Sequence, residues 1–159
     1  MPDLKEVGVL IDQARSLAKR YRQITGKPLG ITGEVAEYEA ARLLGLTLTG
    51  ARMPGYDALR GTERIQIKGR VIGPEAKHGQ RLGNIKLDHA WDTVAFVVLD
   101  EDLCATEIWE ADRLTIEAEL RKPGSKARER GAISAHRFKK MGKRTWPVEL
   151  GGSLTLGDE

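Results

Sequence analysis

The hydrophobic positions in the first part of the chain follow the spacing of amphipathic helices. In residues 3–25, apolar side chains recur every three or four positions, which predicts one long helix. Gly26 and Pro28 end this pattern. We expect a second helix to begin at Thr32, with Glu34 in its first turn, and to stop at Gly45.

After Gly45 the patterns become shorter and favour strands. Residues 64–68 alternate polar and apolar side chains, which predicts a strand with Ile65 and Ile67 on its core face. Other short apolar or β-branched segments predict further strands at residues 46–49, 56–59, 93–99 and 105–110.

The remaining segments complete the prediction of a single domain over residues 1–150. Residues 71–90 are rich in glycine and basic residues and are predicted to be a mobile loop, and residues 121–131 a basic loop. Helices are predicted at 111–120 and 133–141, and a flexible tail at 151–159. The order helix, helix, several strands, helix indicates an α/β fold, with a central mixed sheet flanked by helices.

Composition narrows the class of protein. The chain has 159 residues, of which 40% are hydrophobic, but its longest apolar run, 94–99, is far too short to cross a bilayer. The N-terminus has no continuous apolar segment, so we expect neither a secretory signal nor a membrane partner. The single cysteine, Cys104, cannot form an internal disulfide and fits a reducing cytoplasm.

Positive charge is concentrated in two segments, although the net charge is only +3. Residues 64–86 contain six basic residues and one acid, and residues 121–144 contain ten basic residues and one acid. Such segregation is typical of a protein with a polyanionic partner. Two exposed loops without a partner are the alternative.

Three polar residues are predicted to meet at the edge of the sheet. Gln66 and Lys68 are two apart in a strand and therefore project from one face. A turn at Gly61 would place the strand that carries Asp57 beside them. Carboxylate and amide oxygens suit Mg²⁺, Lys68 could orient or deprotonate a water, and Glu34 is a further candidate acid. An ordinary salt bridge at a solvated sheet edge is the alternative.

These motifs resemble a known enzyme family. Gly33-Glu34, Gly55-Tyr56-Asp57 and the segment 65–70 together look like the core of the PD-(D/E)XK nucleases, the restriction-endonuclease-like superfamily, over about residues 30–110. The resemblance implies a restriction-endonuclease-like core and hydrolysis of DNA with Mg²⁺ or Mn²⁺. It implies that Lys68 is the catalytic lysine and that the metal ligands are Glu34, Asp57, Gln66 and the main-chain carbonyl of Ile67.

One position departs from the family pattern. Gln66 stands where the family has Asp or Glu, so the site has one negative charge fewer. Glu63 lies three residues before Gln66 and is expected to point to the opposite face of the strand. Two alternatives to a nuclease therefore stay open: an inactive DNA-binding subunit with the same fold, and a protein-interaction module.

Several basic residues are candidates for contacts with DNA phosphates. They lie just after the proposed site or on the last predicted helix, and they are Arg70, Lys77, His78, Arg81, Arg137, Lys139 and Lys140. A solvated loop and a helix with cations near its own C-terminus are the alternatives. Because one active site cuts one strand, cleavage of both strands would require a homodimer, for which the first helix could supply the interface.

Overall fold

A six-stranded mixed sheet with helices packed on both faces forms the protein. The structure is a computed structural model and describes residues 2–50, 55–75 and 79–148. The helices are α1 (Leu4–Thr25), α2 (Thr32–Leu44), α3 (Arg113–Leu120), α4 (Lys126–Glu129) and α5 (Ala135–Met141). The strands are β1 (Thr47–Leu48), β2 (Ala58–Arg60), β3 (Glu63–Val71), β4 (Thr93–Leu99), β5 (Ala105–Asp112) and β6 (Lys143–Trp146). The predicted α/β class, with a mixed sheet flanked by helices, is confirmed.

Both predicted N-terminal helices are present. The Asp3 side chain accepts a hydrogen bond from the Lys5 amide at the start of α1, and Gly26 ends the helix in the left-handed region with φ 71°. Gly45 ends α2 in the same way, with φ 68°. These glycines supply a backbone conformation that other residues rarely adopt, which is why both helix ends were predictable.

The strands follow one another across the sheet in the order of the chain. Strands β1, β2 and β3 form an antiparallel meander, β3 and β4 are parallel, and β4, β5 and β6 are again antiparallel. The parallel pair requires the chain to cross from one end of the sheet to the other between Val71 and Thr93. This crossover passes close to the predicted site.

The central strands divide the core into two layers. All seven residues of β4 are buried, as its continuous apolar run predicts. Ala95 and Val97 pack with α1 and α2, together with Ile65 and Ile67 of β3, whose predicted core orientation is confirmed. The alternate residues of β4 pack with α3, α5 and the crossover, and this second cluster includes Trp91.

The described residues between 72 and 90 form no helix or strand, as predicted for a loop, but this loop is packed against the core instead of standing free as a mobile segment. Strand β3 continues to Val71, and the crossover buries Leu82 and Ile85 in the second core cluster. The Leu82 amide donates to the Ile133 carbonyl over 2.9 Å, and the Ile85 amide donates to the Gly131 carbonyl over 2.8 Å. This segment is therefore held in place by apolar burial and backbone hydrogen bonds.

The C-terminal part differs from the prediction in three places. The predicted loop at 121–131 contains the short helix α4, which Ser125 caps. The last helix begins at Ala135 rather than at 133, because the Ile133 carbonyl is bonded to the crossover. Strand β6 was not predicted. The predicted flexible tail, 151–159, lies outside the described residues.

Among the residues that the structure describes, no helix combines the length and the apolar character needed to span a membrane.

Candidate active site where strands β2 and β3 separate

Strands β2 and β3 separate just beyond the Ala58–Ile65 pair, and the Asp57 side chain occupies the gap. The Asp57 amide still donates to the Ile65 carbonyl over 2.8 Å. At the next position the Ile67 amide donates over 2.7 Å to Asp57 Oδ2 instead of to a backbone carbonyl. A strand residue directs its N–H and C=O to the same edge, so the Ile67 carbonyl also faces this gap. We call the gap, with Asp57, Gln66, Ile67 and Lys68, the fork.

Helix α2 brings two acids close to the fork because it lies directly on β3. A Cβ atom on Gly69 would lie 2.4 Å from the Ala36 Cβ, so only glycine allows this approach. Glu34 and Glu37 are three residues apart and share one side of α2. Glu34 is exposed and Glu37 is half-buried. Glu37 was not predicted, although its position one turn after Glu34 was visible in the sequence.

Burial and like charge both act on the acids at this site. Burial of Glu37, together with the charges of Asp57 and Glu34, raises the pKa of its carboxyl to about 7. Burial also raises the pKa of Asp57, opposed by the Ile67 amide and by Lys68. The structure therefore brings Glu37, Asp57 and Glu34 within electrostatic reach of one another.

Lys68 is the cation of the fork. Burial lowers the pKa of its ammonium group, opposed by the nearby charge of Asp57 and reinforced by Arg70 and Lys86. Lys68 Nζ donates to the Asn84 carbonyl of the crossover over 3.1 Å. Asp57 and Lys68 are therefore close enough to interact electrostatically, and the crossover orients the lysine.

Gln66 carries an unsatisfied acceptor. Its side chain is buried, and Oε1 has no hydrogen-bond partner among the described residues. Strand alternation places Gln66 on the same face of β3 as Lys68. A buried amide oxygen without a donor is unfavourable, so this atom is suited to accept a hydrogen bond from water or to bind a cation.

The donor set at the fork is not a cluster of three acids. Within residues 2–50, 55–75 and 79–148, no group of three or more His, Cys, Asp or Glu side chains is arranged to hold a metal ion. The candidate oxygens are instead the carboxylate of Asp57 and the carbonyl of Ile67 at the gap, and the orphaned amide oxygen of Gln66 on the face of β3 that carries Lys68. Mg²⁺ accepts such hard oxygen ligands and retains several waters, so the residues fit a weakly held divalent cation.

Glu63 does not contribute to the fork, as expected. Its carboxylate binds Arg60 and accepts a hydrogen bond from Thr93 Oγ1 over 2.7 Å. Arg60 also binds Glu110, with 2.6 Å between Arg60 Nη2 and Glu110 Oε1. These contacts lie at the turn of the β2–β3 hairpin, at the opposite end from Asp57.

The two basic segments meet beside the fork. Arg70 Nε donates to the Arg81 carbonyl over 2.8 Å, which fixes β3 to the crossover. Arg81 in turn forms an isolated β-bridge with Ser134, and the Ala135 amide donates to the Gln80 carbonyl over 2.8 Å. The segments 64–86 and 121–144 are therefore in direct contact, where the crossover meets the start of α5.

The other predicted phosphate contacts are distributed unevenly. Arg137 is held by both oxygens of Glu119, and Lys139 Nζ lies 2.9 Å from Glu107 Oε2, so both cations already have partners. Lys140 is exposed, and Arg81 is exposed beside a cavity of about 140 Å³. Lys77 and His78 lie outside the described residues.

Comparison with known proteins adds no family assignment. No protein-family model matches this chain, and no curated protein sequence matches it at a significant level. The chemistry of the fork is therefore inferred from its own residues.

Proposed function

We propose that this chain is a divalent-metal-dependent nuclease that hydrolyses phosphodiester bonds in DNA, with its active site at the fork. One observation carries the proposal. Asp57, whose carboxyl pKa is raised, interacts electrostatically with Glu37, whose pKa is also raised, and with Lys68, whose pKa is lowered, and the orphaned oxygen of Gln66 belongs to the residue two positions before Lys68. Opposed pKa shifts of this kind cluster at functional sites more often than in structural ion pairs.

The arrangement of the chain supports membership of the PD-(D/E)XK nucleases. The acid before β2 and the Gln-Ile-Lys segment of β3 come together although eight residues lie between Asp57 and Gln66. Helix α2, which carries acids, packs on β3, and β3 pairs in parallel with its neighbour β4. These are the features that the resemblance implies for a restriction-endonuclease-like core.

The oxygens of Asp57, Gln66 and Ile67 would hold Mg²⁺ or Mn²⁺, with Glu37 and Glu34 supplying further negative charge. When bound, the ion supplies positive charge to the phosphate and makes a water more acidic. Gln66 would contribute an oxygen without charge where the family has Asp or Glu. Glu37, the second acid on α2, would supply the missing negative charge.

The protein groups at the fork have separate roles. Glu37, with a pKa of about 7, is suited to accept a proton from the attacking water near neutral pH. Lys68 stabilises the negative charge that develops on the phosphate, and its contact with Asn84 keeps its ammonium group in position. Asp57 holds the Ile67 amide and so keeps the strands apart at this point.

The basic region beside the fork is suited to the DNA backbone. Arg81, Lys86 and Lys140 are exposed. Cations of this kind contact phosphates and position a duplex without reading its sequence. The region therefore favours a nuclease directed by DNA structure over one directed by a base sequence.

A cleavage assay tests the proposal. Supercoiled, single-stranded and branched DNA are incubated with the purified protein and Mg²⁺ or Mn²⁺, and with EDTA. We expect metal-dependent cleavage that Lys68→Ala lowers by about 10²- to 10⁴-fold, the range typical of a lost acid–base or electrostatic contribution. The matched control is Lys5→Ala, an exposed lysine on α1 outside both basic segments, which should cleave like wild type.

Two outcomes would overturn the assignment. Equal cleavage by wild type and Lys68→Ala would indicate a contaminating nuclease. No cleavage by wild type, despite DNA binding, would favour the second candidate below.

The second candidate is a non-catalytic DNA-binding protein with the same fold. Gln66 at the acidic position favours it, as does the lack of a cluster of three acids in the described part of the chain. Such a protein would bind DNA with an affinity that falls steeply as salt rises. It would not show the Mn²⁺ binding, lost in Asp57→Ala, that calorimetry should detect for a nuclease.

A further inference from the structure

The outward face of α1 is unusually apolar. Of the seven large hydrophobic side chains that are exposed in the described residues, five lie on this one helix. Leu10 is 63% exposed, Leu17 58% and Ile24 81%. A stripe of this kind on a surface helix indicates a contact with another protein surface.

The exposed residues have the spacing of a coiled-coil seam. Leu10, Leu17 and Ile24 are seven residues apart, and Ala14 and Tyr21 lie between them, so the steps are four, three, four and three. The inward side of the same helix buries Ile11 and Ala18 against the domain. Helix α1 therefore has two apolar faces, of which the domain covers only one.

The charges along α1 indicate which partner and which orientation fit this seam. Residues 3–13 carry three acids and one base, whereas residues 14–27 carry five bases and no acid. A second copy of the helix in the antiparallel orientation would place each acidic half against a basic half. A parallel copy would place like charges together along the whole helix.

We propose that two copies of this chain form a homodimer through an antiparallel pairing of their α1 helices. Leu10, Ala14, Leu17, Tyr21 and Ile24 form the buried seam. With the seam centred on Leu17, Glu6 near the start of one helix faces Lys27 just after the end of the other. The dimer is independent of the proposed nuclease activity, because no fork residue lies on α1 and its test measures mass rather than cleavage.

The dimer would extend the proposed function if that function holds. Two forks related by a twofold axis could act on two DNA strands, which one active site does not do in a single step. This consequence rests on the proposed function, whereas the pairing of the helices does not.

Mass measured in solution tests the dimer. Sedimentation equilibrium of the full chain at micromolar concentrations should give twice the chain mass of 17.6 kDa. Leu17→Glu would bury a charge in the seam and should weaken association about tenfold or more. The matched control is Leu114→Glu on α3, where the wild-type side chain is 78% exposed outside the seam, and it should remain a dimer.

The measured mass distinguishes a second copy of α1 from any other partner for the exposed face of this helix. A wild-type protein that stays monomeric across the concentration range would overturn the proposal. So would a dimer that Leu17→Glu leaves intact while circular dichroism shows unchanged helix content.

A charge exchange tests the orientation. Glu6→Lys and Lys27→Glu should each weaken the dimer, because each places like charges across the antiparallel pair. The double variant Glu6→Lys/Lys27→Glu should restore association, because the exchanged charges again face opposite ones. A double variant no tighter than the weaker single variant would overturn the antiparallel pairing.

Discussion

The two ends of the β2–β3 hairpin are both rich in charge, but only at the turn end are the charges paired through direct contacts. At the turn, Arg60 lies between two carboxylates, with 3.0 Å to Glu63 Oε2 and 2.6 Å to Glu110 Oε1. The Arg60 guanidinium holds the pKa of Glu63 below its usual value. Arg60 and Glu63 are therefore each more stable in the charged form because of their neighbours.

At the fork, burial opposes the charged form of each group. The pKa values of Glu37 and Asp57 are raised and that of Lys68 is lowered, while Gln66 Oε1 has no partner among the described residues. A structural network satisfies its own charges, whereas a binding site keeps unsatisfied groups for a ligand. This contrast within one hairpin is the reason for placing function at the fork and stability at the turn.

The largest expected effect on stability is at the turn. Arg60→Met removes the cation from between Glu63 and Glu110 and leaves the nearly buried Glu110 uncompensated. We expect a loss of about 2 kcal/mol in the free energy of unfolding, discounted because Arg60 itself is partly exposed. Urea denaturation measures this loss.

Cleavage per folded molecule should remain at the wild-type level in Arg60→Met. Loss of cleavage without loss of stability would reverse the roles assigned to the two ends. Arg64→Met, which breaks a more exposed pair with Asp92, is the control and should cost less.

An intermediate effect is expected from Glu37 and depends on pH. Its folded pKa of about 7 exceeds the ordinary 4.5, so the folded state binds the extra proton between these values. Wild type should therefore lose stability as pH rises through this window, and Glu37→Gln should not. At about pH 8 without metal we expect Glu37→Gln to be more stable by about 1.5 kcal/mol, discounted for partial exposure.

Urea denaturation at about pH 5 and about pH 8 checks this dependence. Glu34→Gln is the matched control on the same helix, where the side chain is exposed, and it should change stability much less. Equal stability of wild type and Glu37→Gln at both pH values would show that folding does not raise the pKa of Glu37.

The smallest expected effect has the opposite sign from the turn variant. Gln66→Met replaces the orphaned buried oxygen by an apolar group of similar size and should stabilise the fold by about 1 kcal/mol. The same variant removes a proposed metal ligand and should reduce cleavage. Thermal unfolding and the cleavage assay measure the two effects, and a destabilised variant would show that Gln66 is satisfied in the native protein.

The parts of the fold that the sequence predicted are those with strong periodicity or a glycine stop. Helix α1 and strand β4 have long patterns of a single type, and Gly45 closes α2 through a left-handed residue. Strand β6 has no such pattern. It is a four-residue edge strand, and its place depends on pairing with β5, which no local pattern reveals.

The site residues that lie in or beside one strand could be predicted from the sequence. Those that tertiary packing brings to the site could not. Asp57 and Lys68 follow from alternation in β3 and a tight turn at Gly61. The crossover was predicted to be mobile because its glycines and basic residues dominate its composition. The burial of Leu82 and Ile85 nevertheless holds this segment against the core, and the local sequence does not show that the core lies next to it.

Gly69 gives the molecule a constraint on its variation. A hydrogen atom stands at this position where any other residue has a carbon, and that carbon would collide with Ala36. The distance between the acids of α2 and Lys68 of β3 therefore depends on glycine at position 69, because glycine has no Cβ atom to push the helix away. A larger residue at position 69 would separate the helix from the strand and the carboxyl groups from the ammonium group, so we expect functional variants of this chain to retain glycine there.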